Sequence, residues 1–208
     1  MNHLCPDLTI GLDAGFPGLL RKVRWYREKN HPEDTAFYDA HEDFLLGLLN
    51  FISRHAEAAR GMAEREEDPH TRQNLLEIAA VNEALCLREP QTLREALQFL
   101  AWFQSTDRMI MFGGAMGQLD ELLRPYYEAD TAAGRVDDEQ AVWMIASLFY
   151  NDTHYAQIGG CAPDGRDLTS KVSFLILEAA HLIQIPTNLA IRCHDNMDER
   201  LLDQALRN

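Results

Sequence analysis

Residues 158–195 read "IGGCAPDGRDLTSKVSFLILEAAHLIQIPTNLAIRCHD", and this run decides the fold class. Gly159 and Gly160 read as the close-packed end of a strand, "PDG" at 163–165 as a turn, and Cys161 as a small residue filling a gap between them. From Leu168 to Ile183 the apolar residues recur at helical spacing. "IPTNLAIRCHD" at 185–195 then has the short, β-leaning composition of a buried strand, and Asn196 with Glu199 forms a cap-like start for another helix. A strand end, a helix and a strand in one run make the chain α/β.

Outward from this run the chain is mostly helical. From Thr35, the residues Phe37, Ala40, Phe44, Leu45, Leu48, Leu49, Ile52, Ala56 and Ala59 recur at threes and fours, predicting one face of a long helix. Asp68 before Pro69 is an N-cap with proline at the first helical position, opening a second helix through Leu75, Ile78, Ala79 and Leu85, and Pro90 closes that region. "TLRE", with Thr92 and Glu95 three apart, is a capping box for a third helix toward Met109. "MIMFGGAMGQ" interrupts it with three glycines, "LDELLRPYYEAD" is expected as a short helix broken near Pro125, and Asp137 or Asp138 caps the next.

Composition narrows the partners. With 33 acidic residues against 19 basic ones, the 208-residue chain carries a formal net charge of -14, which opposes binding to nucleic acid. No apolar run reaches the ~20 residues that span a bilayer, and the N-terminus has no basic region followed by an apolar stretch, so no membrane partner and a cytoplasmic location are expected. Cys5, Cys86, Cys161 and Cys193 show no short spacing, and reduced thiols follow. No repeat, low-complexity tract or linker divides residues 1–208, which read as one segment. The chain stops just after a strand and a helix have begun, without a glycine cap or polar tail, so it is expected to be a piece of something larger.

The candidate chemistry is sparse. Glu28 with His31, and Glu178 with His181, have the i, i+3 spacing by which di-iron carboxylate bundles set two ligands on one helix face, but four inward carboxylates on separate helices would also be needed. Asp39, His41, Glu42 and the pair His154, Tyr155 could serve as acid and base, yet no partner spacing singles them out. Tyr126 and Tyr127 after Pro125 read as packing. Cys161 has neither a helix N-terminus nor a base beside it in the sequence, so it is not expected to be a nucleophile. The residues alone leave a non-catalytic helical binding module open.

Several stretches, taken in order, resemble the glycyl radical enzymes of the pyruvate formate-lyase and diol dehydratase group. "HLCPDLTIGLDAGFPGLL" at 3–20 is similar to that family's Gly-His-x-x-Pro-Asp segment. "FYDA" at 37–40, the helix pair through "EAL" at 83–85, and "PQTLREALQFLAWF" at 90–103 follow in the family's order. "GQLDELLRPYYEAD" at 117–130 resembles its Gly-Arg-x-Asp-Gln-x-Leu-x-Pro-Tyr-Tyr-x-x-Asp, with Gln118 in place of the arginine and Glu121 in place of the glutamine. The quoted 158–195 run resembles its Gly-Gly, Asp-Gly-x-Asp, Leu-Glu-Ala and Pro-Asn-x-x-x-Arg series.

The resemblance implies a ten-stranded α/β barrel of the pyruvate formate-lyase type, incomplete in this chain. It implies a lyase, dehydratase or formate acetyltransferase of anaerobic metabolism that works through a thiyl radical on a small-molecule substrate. The thiyl cysteine and the radical glycine lie outside this chain, so no catalytic residue and no metal is expected within it, and the piece alone is expected to be inactive. His3 is the candidate substrate-binding residue. No cofactor is expected to be bound here. The glycyl radical would be installed by an S-adenosylmethionine iron–sulfur activating enzyme, and a homodimer is implied for the complete protein.

Overall fold

The computed structural model describes residues 5–111, 114–152 and 155–208, without the side chains of Ile110 and Met111. The chain forms two compact units, one of residues 10–90 and one of residues 1–9 with 91–208.

The unit of residues 10–90 is helical. Helix α1 spans Leu8–Asn30 and is kinked at Gly15 (φ 63°, ψ 169°) ahead of Pro17. Gly15 is required there on two counts. Its φ is left-handed, and a Cβ would come 2.7 Å from the Glu89 Cα. α2 (Ala36–Ala63) and α3 (Pro69–Leu87) pack on each other. Of the long stripe expected on α2, Leu45, Leu48, Ile52, Ala56 and Ala59 are buried. Phe37 and Phe44 are exposed instead and line a groove of about 540 Å³ with Leu19 and Tyr26 of α1. Nine positions at threes and fours sweep more of the helix circumference than one contact can cover. The Asp68 cap forms as expected, its side chain accepting the Thr71 N–H at 2.7 Å.

The other unit contains α4 (Leu93–Met111), β1 (Gly117–Gln118), α5 (Leu119–Ala132), α6 (Asp138–Asn151), β2 (Ala156–Gly159), α7 (Lys171–Ile183), β3 (Leu189–Arg192) and α8 (Glu199–Arg207). The strands form a parallel sheet in the order β1-β2-β3. Phe99, Leu100, Leu119, Leu123, Ile145 and Phe149 are among its fully buried side chains. Thr92 Oγ1 accepts the Glu95 N–H at 3.2 Å, while the Glu95 carboxylate takes the Gln91 N–H at 2.7 Å. Buried Asp130 accepts the Leu93 N–H at 2.8 Å and is ion-paired to Arg135, so the end of α5 satisfies an orphan amide at the start of α4. Asp137 caps α6 in a capping box with Gln140.

Three sequence expectations need correction. Pro125 does not break α5, which runs continuously through it. The helix is pinned on both sides of the proline, by buried Leu119 and Leu123 before it and Tyr127 and Asp130 after it, and this packing outweighs the one lost backbone bond. The cap of α8 is Asp198, not Asn196: the Asp198 carboxylate accepts the Arg200 N–H at 2.9 Å. β3 is not a buried strand. It pairs only with β2 among the described residues, Leu189 and Ile191 are half-buried, and Ala190 and Arg192 are exposed. No described helix is long and apolar enough to cross a membrane.

Candidate functional site

The sheet has two unlike faces. In the parallel register Gln118 sits beside Gln157 and Gln157 beside Ala190, while Ala156 and Ile158 sit beside Leu189 and Ile191. Ala156 and Ile158 are buried, and Leu189 and Ile191 line a groove of about 550 Å³ with residues of α7 and α8. That is the helix-covered face. By strand alternation the opposite face carries Gln118, Gln157, Ala190 and Arg192. It is polar and open, and it ends at the carboxyl edge of the strands, where parallel α/β sheets hold their ligands.

Beneath that edge, a buried carboxylate ties three segments together. Asp120, in the first turn of α5, is wholly buried and accepts the Gly159 N–H at 2.8 Å and the Ser173 hydroxyl at 2.5 Å. Burial pushes the Asp120 carboxyl above its ordinary value, and the hydrogen bonds from Gly159 and Ser173 oppose that shift. Gln118 lies across the strand ends. Its Nε2 donates to the Gly159 carbonyl at 2.6 Å, and its Oε1 accepts from Arg192 Nη1 at 2.8 Å. The two bonds fix the amide's orientation, with the oxygen toward the guanidinium.

A second carboxylate anchors the loop after β3. Asp167 accepts the Thr169 N–H and hydroxyl, at 3.0 and 2.9 Å, and the Asp198 N–H at 2.9 Å, and its Oδ1 lies 3.1 Å from His194 Nε2. His194 Nδ1 takes the Asn196 N–H at 3.3 Å, which leaves Nε2 as the donor to Asp167. Burial would raise the Asp167 carboxyl, but the bonds from Thr169, His194 and Asp198 together hold it below its ordinary value.

Cys161 lies between these two anchors and is bridged in antiparallel fashion to Asp167, across the "PDG" turn closed by Gly165 (φ 82°). This hairpin pairing fixes the Cys161 backbone, and its side chain is half-buried. A Cβ at Gly159 would come 3.1 Å from Leu201 Cδ2, the close packing expected at this strand end.

The other candidates are not gathered into a site. His3 and His154 lie outside the described residues. Asp39 bonds Arg27 and Thr35, and Glu42 pairs with Arg24 and Arg27, which makes them ion-paired surface groups of α1 and α2. His41 Nδ1 lies 2.6 Å from the Phe37 carbonyl of its own helix. Tyr127 donates to Asp138 at 2.5 Å, and burial together with that carboxylate pushes its phenol up to about 12. Glu28, His31, Glu178 and His181 are exposed, and no group of three or more His, Cys, Asp or Glu side chains able to hold a metal occurs among the described residues. Asp120, Ser173 and Gln157, which the structure places at this edge, were not singled out from the sequence. The alternation in "TNLAIR", which sets Ala190 and Arg192 opposite Leu189 and Ile191, was the signal available for the open face.

A parallel sheet with helices on one face and a polar carboxyl edge is the arrangement of an α/β barrel segment. The profile described as pyruvate formate lyase-like matches residues 1–208, and the chain belongs to that family. It is 27% identical over 199 residues to isethionate sulfite-lyase of Desulfovibrio desulfuricans, covering 84% of this chain and 24% of that protein. It is 31% identical over 166 residues to trans-4-hydroxy-L-proline dehydratase of Clostridioides difficile, covering 66% of this chain and 21% of that protein. A solved glycyl radical enzyme from Archaeoglobus fulgidus superimposes with a TM-score of 0.89 at 24% identity, covering 100% of this chain and 30% of that one. The chain therefore spans about a quarter of the length of the curated relatives it matches. The α/β, mostly helical reading and the barrel class expected from the resemblance both stand. The two relatives named are a sulfite-lyase and a dehydratase.

Proposed function

We propose that residues 1–208 form part of the catalytic domain of a glycyl radical lyase or dehydratase whose thiyl cysteine and radical glycine lie outside this chain. The observation that carries the reading is the family match over the whole chain, joined to a parallel sheet whose open face is polar at its carboxyl edge. Both units belong to one domain of the complete enzyme. The radical supplies hydrogen abstraction from a small-molecule substrate. The part played here is to build a wall of the cavity, with Asp120 holding the Gly159 turn and Asp167 holding the loop after β3.

The finer points follow the resemblance. An S-adenosylmethionine iron–sulfur activating enzyme installs the radical, the complete protein is a cytoplasmic homodimer of anaerobic metabolism, and formate acetyltransferase chemistry is an alternative to elimination. His3 hydrogen-bonds a substrate hydroxyl. The test is to express the complete protein with an activating enzyme, without oxygen, and to look for a carbon-centred protein radical by electron paramagnetic resonance. A radical together with bond cleavage on a polyol, hydroxy-acid or hydroxy-sulfonate panel is expected. Its absence in well-folded protein with an activating enzyme proven on a relative overturns the reading. For His3, normal radical content with unchanged turnover in His3→Ala removes the assigned role.

A further inference from the structure

We propose that Arg192 is a specificity-determining residue that binds an oxyanion, carboxylate or sulfonate, on the substrate. This rests on the reading above, and deepens it by choosing anionic substrates over neutral polyols.

The face opposite the helices is the one a closed barrel turns inward. Barrel interiors are ordinarily filled by branched apolar side chains. Here that face carries two amides, Gln118 and Gln157, the small Ala190, and one cation, Arg192. Such a surface cannot pack as a dry core, because its amide and guanidinium groups each require a polar partner. It suits a polar ligand.

Arg192 donates to a neutral amide and meets no carboxylate among the described residues. In an acid-rich chain, Arg108, Arg124, Arg135 and Arg200 of the same unit each have a carboxylate oxygen within 2.9 Å. Among the described residues Arg192 has none. Its protein bond is the one from Nη1 to Gln118, a neutral acceptor. Gln118 is itself tied to the Gly159 carbonyl, so the guanidinium is held in place with no described carboxylate against its charge.

The surroundings leave room for a ligand. A Cβ at Gly160, whose φ is 88°, would come 3.1 Å from Arg192 Cβ and Nε, so the arginine stem lies along a bare Cα. Gln157, on the same face, has no side-chain hydrogen bond to a described residue. A planar fork of N–H donors on the same sheet face as the Gln157 amide matches two oxygens of one carboxylate or sulfonate. A diol alone would leave the charge unpaired.

The experiment uses the complete protein without activation, so that binding is read apart from radical chemistry. Glycolate, isethionate and ethane-1,2-diol are titrated calorimetrically into wild type, Arg192→Gln and Arg192→Lys. The expected result is oxyanion binding to wild type at least about tenfold tighter than diol binding, since a charge-assisted hydrogen bond is worth about that ratio or more. Arg192→Gln is expected to lose that advantage and Arg192→Lys to keep part of it. The two acids show whether the carboxylate or the sulfonate is preferred. Diol binding equal to oxyanion binding in wild type, no oxyanion binding at all, or Arg192→Gln binding like wild type would each overturn the proposal. If Arg192→Gln does not fold, the wild-type comparison decides alone. A missing glycyl radical in the parallel spectroscopic test would overturn the enzyme reading and leave this measurement standing.

Discussion

The Asp120 carboxylate accepts the Gly159 backbone N–H at 2.8 Å across 39 positions of sequence. This one bond joins the first turn of α5 to the left-handed turn that ends β2. It sits directly under the carboxyl edge of the sheet, and Ser173 at the start of α7 completes it. The geometry of the open face depends on that junction, because Gln118 reads the same glycine from the other side through its carbonyl.

Replacing Asp120 with alanine takes the acceptor from the buried Gly159 N–H and from the Ser173 hydroxyl, which keeps its Ser170 contacts. A loss of about 2–4 kcal/mol is expected from the two lost charge-assisted bonds, measured by denaturant unfolding of the complete protein. The Asp120 carboxyl is raised in the folded state, so the stability linked to it is present below the unfolded value of 3.8 and is lost as the pH rises through the folded pKa. Asp120→Asn, which cannot titrate, should lack that decline. An unfolding profile that declines with pH as in wild type would place the raised pKa elsewhere.

Asp167 has the opposite sign. Its folded pKa lies below the ordinary 3.8, so its contribution is present above that value and is lost as the pH falls through the folded pKa. Asp167→Asn should be less stable than wild type near neutrality, and the two should converge as the solution is acidified. Melting temperatures taken across the acid range test this. A constant gap between the curves would show that the carboxylate's charge is not what holds the His194 loop.

Gly15→Ala is expected to be among the most damaging small substitutions in residues 10–90. The Cβ meets the backbone of Arg88 and Glu89 at 2.7 to 2.9 Å, where no side-chain rotation can relieve it, and the left-handed φ adds its own cost. A destabilisation of about 2 kcal/mol or more is expected, read as a drop in melting temperature. By contrast Gly47→Ala, with open space around its Cβ direction, should be neutral or slightly stabilising.

Cys161→Ser should leave radical content and turnover of the activated complete protein unchanged, because the backbone there is held in a hairpin and no described residue hydrogen-bonds the thiol. Loss of turnover with normal radical content would return Cys161 to the chemistry.

Local chemistry was legible at most of the caps and turns where a side chain acts on nearby backbone, though not at α8, where Asp198 and not Asn196 is the cap. Asp68 before Pro69, Asp137 before Gln140 and the "PDG" turn each form as written, since capping and turn geometry involve residues two or three positions apart. Pro125 was misjudged for the complementary reason. Its local cost is real, but whether a helix survives it depends on distant side chains that bury Leu123 and Tyr127.

The family and its barrel class were also present in the sequence, as an ordered series of short motifs no one of which is specific. What tertiary structure alone decided is the pairing of "GQ" with "YAQIG" and "NLAIR". Nothing local states that Gln118, Gln157 and Arg192 share a face, because a one-residue shift of register would turn each strand over. The register is set by burial of Ala156 and Ile158 on the helix-covered side, and by Asp120, itself held by Ser173, accepting the Gly159 N–H from 39 positions away in the chain. The sequence by itself determined most of the helices and the family they belong to, while α1 and β1 were not read from it. Long-range packing and one buried carboxylate decided which polar side chains meet, because the free energy that selects a register is earned only when distant apolar groups leave water together.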